Sequence, residues 1–219
     1  MIRLQNVRKI YRRGAEEVQA LRGVSLDILP GEFMSVIGPS GSGKTTLLQI
    51  LGCLDKPSDG AVFFDDIEVE GMTESHLVGL RREKIGFVFQ QFYLIPGLTV
   101  FDNIALPLLF ARKKVEAAHV KELAERVGLG GRLSHVPAQL SGGEMQRTAI
   151  ARALVNSPEI ILADEPTGNL DSENSEKIFN ILQSLNALGL TVVMITHNNE
   201  LAVRAKRVVR IRDGNIFSA

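Results

Sequence analysis

Gly38-Pro39-Ser40-Gly41-Ser42-Gly43-Lys44-Thr45 is the stretch that most narrows what this chain can become. Its spacing is G-x-x-x-x-G-K-[ST], a loop whose backbone N–H groups turn inward around phosphate oxygens. Before it comes Phe33-Met34-Ser35-Val36-Ile37, an apolar run that reads as a buried strand. After it, Thr45-Thr46-Leu47 to Leu51 reads as a helix, so the loop has the strand–loop–helix setting it requires. Glycines supply the conformational freedom, and the helix N-terminus adds partial positive charge. Lys44 brings a full charge for β- and γ-phosphates, and the Thr45 hydroxyl is a ligand for Mg²⁺.

The chain's 219 residues allow one large domain, or small subdomains around a common core. Lys plus Arg and Asp plus Glu both number 25, so net charge draws it neither to nucleic acid nor to acidic lipid. The single cysteine, Cys53, excludes an internal disulfide framework and, set among Leu51, Gly52 and Leu54, reads as a small buried hydrophobe. No stretch reaches the ~18 uninterrupted apolar residues of a membrane span. The longest candidate, 104–111, is far shorter and contains Pro107. The N-terminus has no signal-peptide pattern, so the expectation is a soluble protein whose membrane role comes through a partner.

Residues 1–30 read as short strands: 2–7 alternates apolar and polar residues, and 21–29 does so loosely. Tyr11, at the end of the opening strand, is either edge packing or a ring for stacking on a nucleobase. Beyond the Lys44 helix, 56–60 is a turn and 61–69 a hairpin pair. Residues 73–84 read as a helix, and Ile85 to Phe89 as a strand that ends in Gln90-Gln91. From about 91 to 156 the pattern is helical, a candidate subdomain inserted into the α/β core.

Leu140-Ser141-Gly142-Gly143-Glu144 is a second anion-binding candidate. Ser141 and Glu144 form a capping box. Two glycines in a first helical turn cost about 1 kcal/mol each relative to Ala, which close approach of a ligand would explain. Ile160 to Asp164-Glu165 is an apolar strand with two carboxylates at its exit. Asp164 is placed to hold Mg²⁺ directly or through water, and Glu165 to polarise an attacking water. Asp171 follows a Gly168-Asn169-Leu170 turn, where it can cap the next helix, which stops at Gly189. Residues 191–196 form another buried strand, with His197 at its exit as a structural or functional imidazole. The chain closes with a hairpin around Asp213-Gly214.

Over essentially its whole length this pattern resembles the ATP-binding-cassette (ABC) ATPases, and the 140–144 run matches that family's signature. The resemblance implies a P-loop NTPase fold of the ABC-ATPase kind. That fold is α/β, with a parallel core sheet, an N-terminal antiparallel β subdomain and the 91–156 helical insertion in a single 1–219 domain. It implies ATP and Mg²⁺ as cofactors and an ATPase activity releasing ADP and phosphate. Gly38, Pro39, Ser40, Gly41, Ser42, Gly43, Lys44, Thr45 and Thr46 would form the Walker A site, with Tyr11 stacking on adenine. Gln90 resembles the Q-loop glutamine, which contacts Mg²⁺, the attacking water and the transmembrane partner. Asp164 is similar to the Walker B carboxylate, Glu165 to the catalytic base, Asp171 to the D-loop aspartate and His197 to the switch histidine.

The resemblance also implies a homodimer, with Ser141, Gly142, Gly143 and Glu144 of one copy over the ATP of the other. An integral membrane permease subunit and a peripheral place on the cytoplasmic face of the inner membrane follow, with no nucleic-acid partner. Phe92, Tyr93, Leu94, Ile95 and Leu98 are candidates for the permease contact, or alternatively core packing under the loop. The runs 52–57, 85–96 and 163–171, with the 12–19 segment, look like the lipoprotein-release and macrolide-exporter branch (LolD-type and MacB-type). An FtsE-like cell-division ATPase shares the 168–171 run and is the alternative. The cargo and the direction of transport are not written in this chain.

Overall fold

The structure, a computed structural model, describes residues 1–14 and 16–218. Among these residues ten strands form two sheets. The strands are β1 (Ile2–Arg13), β2 (Glu16–Ile28), β3 (Phe33–Ile37), β4 (Asp59–Phe64), β5 (Ile67–Glu68), β6 (Ile85–Phe89), β7 (Ile160–Asp164), β8 (Thr191–Ile195), β9 (Arg207–Arg212) and β10 (Asn215–Ser218). The helices are α1 (Lys44–Leu51), α2 (Glu74–Lys84), α3 (Val100–Phe110), α4 (Ala117–Arg126), α5 (Gly142–Leu154), α6 (Ser172–Ala187) and α7 (Asn199–Ala202).

The larger sheet runs β10-β9-β3-β8-β7-β6. Its pairs are parallel except β9–β10, the antiparallel edge made by the Asp213-Gly214 turn. Strand alternation divides its side chains between two cores. Ile160, Leu162, Val193 and Ile195 point with Met34 and Val36 toward α1 and the smaller sheet. Ile161, Ala163, Val192 and Met194 point with Phe33 toward α5 and α6. β7 and β8, buried on both faces in this way, are polar only at their ends, and Asp164 and His197 stand at and just beyond those ends.

The smaller sheet, β2-β1-β4-β5, is antiparallel. Here the expectation of short strands is corrected: β1 and β2 are long and pair across the 12–19 segment as far as the Gly14 turn. Within that segment, Ala15 lies outside the described residues. Register shifts after Leu4, Val7 and Lys9 break the apolar alternation, which is why the extended part did not read as strand. The sheets meet where Arg22 N–H donates to Gly214 O at 2.8 Å.

Between β6 and β7, which are adjacent in the sheet, the described chain holds only helices and loops. α3 begins in a Thr99–Asp102 capping box and carries Pro107 within it. Among the described residues no helix is long and apolar enough to cross a membrane.

Candidate functional site

The phosphate loop links β3 to α1, as its spacing requires. Gly43, the N-cap of α1, has φ of 105°, and a Cβ there would lie 2.4 Å from Ala20 O. No L side chain fits both conditions. Lys44 is buried, and Nζ donates to Gly38 O and Pro39 O at 2.8 Å each. These two carbonyls compensate an ammonium that would otherwise be costly to bury, and they hold it inside the turn of the loop. Tyr11, Gly38, Ser40, Gly41, Gly43, Lys44, Thr45, Thr46, Glu165 and His197 line one cavity of about 530 Å³, together with Val18, Gln19 and Ala20. Of the sequence-chosen residues 38–46 all but Pro39 and Ser42 line this cavity, and with Tyr11, Glu165 and His197 they converge on one concave surface.

Tyr11 sits at the rim. Its hydroxyl donates to Asp55 Oδ2 at 2.8 Å, and Lys9 Nζ lies 5.0 Å from its ring centroid. Partial burial, then the Asp55 bond, pushes the phenol up. Lys9 also bonds Asp55 Oδ1 at 2.6 Å, and the two donors outweigh burial to hold that carboxyl below its usual range.

At the far side of the loop, β7 delivers Asp164 and Glu165. Burial, then the Glu165 charge, pushes Asp164 up, against the opposing pull of Thr45 and Lys44. Glu165 has φ of 47°, the left-handed region that costs a non-glycine residue energy. Glu165 N–H donates to Ile195 O at 3.0 Å, which ties the turn to the end of β8. His197, just beyond that strand, places Nδ1 2.5 Å from Glu165 Oε2. An ionised carboxylate only accepts, so Nδ1 carries the proton.

Gln90 follows β6, where Phe89 pairs with Asp164. Its Nε2 donates to Asn169 Oδ1 at 3.2 Å, and Asn169 Nδ2 returns a bond to Gln90 O at 3.0 Å. Asp171 caps α6: Oδ1 accepts from Asn174 N at 2.8 Å, and these bonds hold its carboxyl low.

Ser141 begins α5 with both bonds of the capping box, and Arg132 Nε bonds the Glu144 carboxylate at 3.0 Å. The Ser141 bonds, backbone first, hold Glu144 below the usual carboxylate range. Gly143 has a reason for being glycine within the chain as well: a Cβ there would lie 2.3 Å from Asn174 Oδ1 of α6. Gly142 is less confined, with Leu170 3.3 Å from its hypothetical Cβ. None of Ser141, Gly142, Gly143 and Glu144 lines the cavity of the phosphate loop.

Of the loop after Gln90, Tyr93 and Ile95 are exposed, while Phe92, Leu94 and Leu98 are half-buried. Leu109 and Phe110, at the end of α3, are exposed as well and were not anticipated. Also missed were Asp55, Asn169 and three anchors: Asn103, Gln146 and Arg152. Gln146 had a signal. It lies four residues before Ile150, so a polar amide falls on the apolar face of α5.

A family model described as "ABC transporter" matches residues 21–168. An uncharacterised ABC transporter ATP-binding protein from Thermotoga maritima is 51% identical, covering 99% of this chain and 93% of its own length. The Macrolide export ATP-binding/permease protein MacB of Bdellovibrio bacteriovorus is 47% identical, but this chain spans only 34% of it. The solved dimeric structure of MJ0796, a bacterial ABC transporter cassette, superposes with a TM-score of 0.91 at 48% identity, covering 99% of this chain and 96% of that one. A second structure of MJ0796, dimeric and bound to ADP and Pi, superposes with the same TM-score. This chain belongs to the ABC transporter family, as one of its ATP-hydrolysing ATP-binding cassettes.

Proposed function

We propose that this chain is the ATPase subunit of an ABC transporter and that two copies close on two ATP molecules. The observation that carries the catalytic assignment is the 2.5 Å contact between Glu165 Oε2 and His197 Nδ1 at the rim of the phosphate-loop cavity. In this reading the loop amides and Lys44 bind the phosphates and neutralise their charge. Glu165 orients the attacking water and accepts its proton, and His197 fixes the carboxylate through Nδ1–H. Phosphoryl transfer needs mainly positioning and charge neutralisation, which this set supplies.

The residues at the strand ends suit Mg²⁺. Thr45 and Asp164 offer oxygen donors beside each other, and burial beside Glu165 makes Asp164 a carboxylate that a cation would relieve. A site with so few protein oxygens fits an ion that keeps waters and takes phosphate oxygens. Thr45 and Asp164 would hold it, with Gln90 at the edge. When bound, Mg²⁺ neutralises charge on the β- and γ-oxygens. Tyr11 would take the adenine on its ring.

Ser141, Gly142, Gly143 and Glu144 would meet the ATP of the second copy, since they stand outside the cavity of their own. The MacB relatives, named as ATP-binding and permease proteins, support an exporter or lipoprotein-release role on the cytoplasmic face of the inner membrane. A separate permease would dock at Tyr93 and Ile95, with the exposed Leu109 and Phe110 as further candidates. The test is Glu165→Gln. Turnover falls about 100-fold or more, ATP binding persists, and an ATP-bound dimer accumulates in size-exclusion chromatography. Wild-type turnover in this variant refutes the assignment. Purification from membranes with a permease, rather than with division proteins, separates an exporter from the FtsE-like alternative.

A further inference from the structure

Gln146 has no exposed surface. An amide in that position costs free energy unless it is bonded. Its Nε2 donates to Pro166 O at 2.7 Å and to Phe89 O at 3.2 Å. Both partners are carbonyls, so chemistry alone requires the nitrogen to face them. Its Oε1 is buried without a partner. The fold therefore retains a half-satisfied polar group where Met or Leu would fill the same volume.

What the amide holds accounts for that cost. Pro166 follows Glu165, the residue kept at φ of 47°. Phe89 precedes Gln90. One side chain on the first half of α5 thus grips the backbone at both strand ends that carry the hydrolytic machinery.

We infer that Gln146 is a positioning residue for hydrolysis: from the signature helix it fixes the Glu165-Pro166 backbone and so the aim of the Glu165 carboxylate. The inference rests on Glu165 being the base, as proposed above. Gln146 touches no substrate and acts only through Glu165, with a second hold on the strand end before Gln90. Movement of α5 is thereby passed to the Glu165 peptide.

Two variants test this. Gln146→Met keeps the volume and removes both bonds. Its kcat falls about tenfold or more, the scale of a lost buried hydrogen bond expressed in the transition state. Its affinity for ATP as a monomer stays at the wild-type value, because no residue of α5 lines the cavity. Gln146→Glu gives a readout that mere packing would not move. As a carboxylate it repels two carbonyl oxygens, and once protonated its single O–H donates to Pro166 O. The ratio of its kcat to that of wild type climbs as pH falls from about 8 to about 6, where a buried carboxyl takes up its proton.

An unchanged kcat in Gln146→Met, or a loss confined to KM or melting temperature, overturns the inference. So does a flat pH ratio in Gln146→Glu, which decides alone if Gln146→Met does not fold. Glu165→Gln keeps the two readings apart. If it abolishes turnover while Gln146→Met is normal, positioning fails and the base stands. If Glu165→Gln turns over normally, the base assignment itself fails.

Discussion

Cys53 sits just past α1 with φ of 53°, and burial pushes its thiol from 9.0 up to about 11, with Arg81 pulling weakly the other way. At neutral pH the folded and unfolded chains both keep this proton, so the group contributes nothing to pH dependence there. Above pH 9 the unfolded chain releases the proton, while the native one keeps it until about pH 11. Native stability therefore falls as pH rises through that window, by about 2–3 kcal/mol from this group. In Cys53→Ala that contribution is gone. Urea unfolding of both proteins at a series of alkaline pH values should show a shallower decline in the variant. Parallel declines would mean that the thiol is not shielded. At this scale the sequence was informative wherever a residue type carries its own chemistry. Lys44, Asp164 and Glu165 could be picked because charge and spacing mark them, and His197 through the family resemblance. Gln146 is marked only by its place four residues before Ile150, a periodicity that points to burial but does not say which carbonyls the amide meets.

The 90–99 loop shows how elements are fixed by residues no motif singles out. Asn103 of α3 is fully buried. Its Oδ1 accepts from Ile95 N at 2.8 Å, and its Nδ2 donates to Ile95 O, Leu98 O and Thr99 O. From the other side, Arg152 of α5 donates to Phe92 O and Tyr93 O. The loop that follows Gln90 is thus strapped to two helices by its backbone, and its side chains Tyr93 and Ile95 are left to face outward. Asn103→Ala leaves the Ile95 amide and Leu98 O without these partners, while Ile95 O and Thr99 O keep the amides of Leu98 and Asn103, a loss of about 2–4 kcal/mol. Hydrogen exchange at the Ile95 amide should accelerate far more than exchange in β7 or β8. Uniform acceleration would instead mean that Asn103 supports the core in general. Strands β3, β6, β7 and β8 were legible because all but one residue of each is a large or small apolar side chain, which leaves few alternatives. The outer half of the β1–β2 hairpin was not, because bulges scramble its alternation. Nor was α7, four residues long and held by its Asn198 cap.

Across the whole molecule, the phosphate loop, Glu165 and His197 gather on one cavity, and the α5 N-terminus contributes nothing to it. Ser141 is nonetheless exposed, and Gly142, the first residue of α5, is half-buried. A helix N-terminus of this kind favours an anion; within one copy it meets the Glu144 carboxylate of its own capping box and stands outside the phosphate-loop cavity. Equal numbers of acidic and basic residues mean that two copies approach without net repulsion. Hydrolysis should therefore depend on encounter: turnover per chain falls as the protein is diluted, because the site is completed only by a second copy. Ser141→Arg places a bulky side chain at that face, far from the nucleotide its own loop binds. It should abolish turnover and the ATP-driven dimer of Glu165→Gln, while a fluorescent ATP analogue binds the monomer with unchanged affinity. Turnover per chain that is constant on dilution, together with an active Ser141→Arg, would show that one chain hydrolyses ATP unaided.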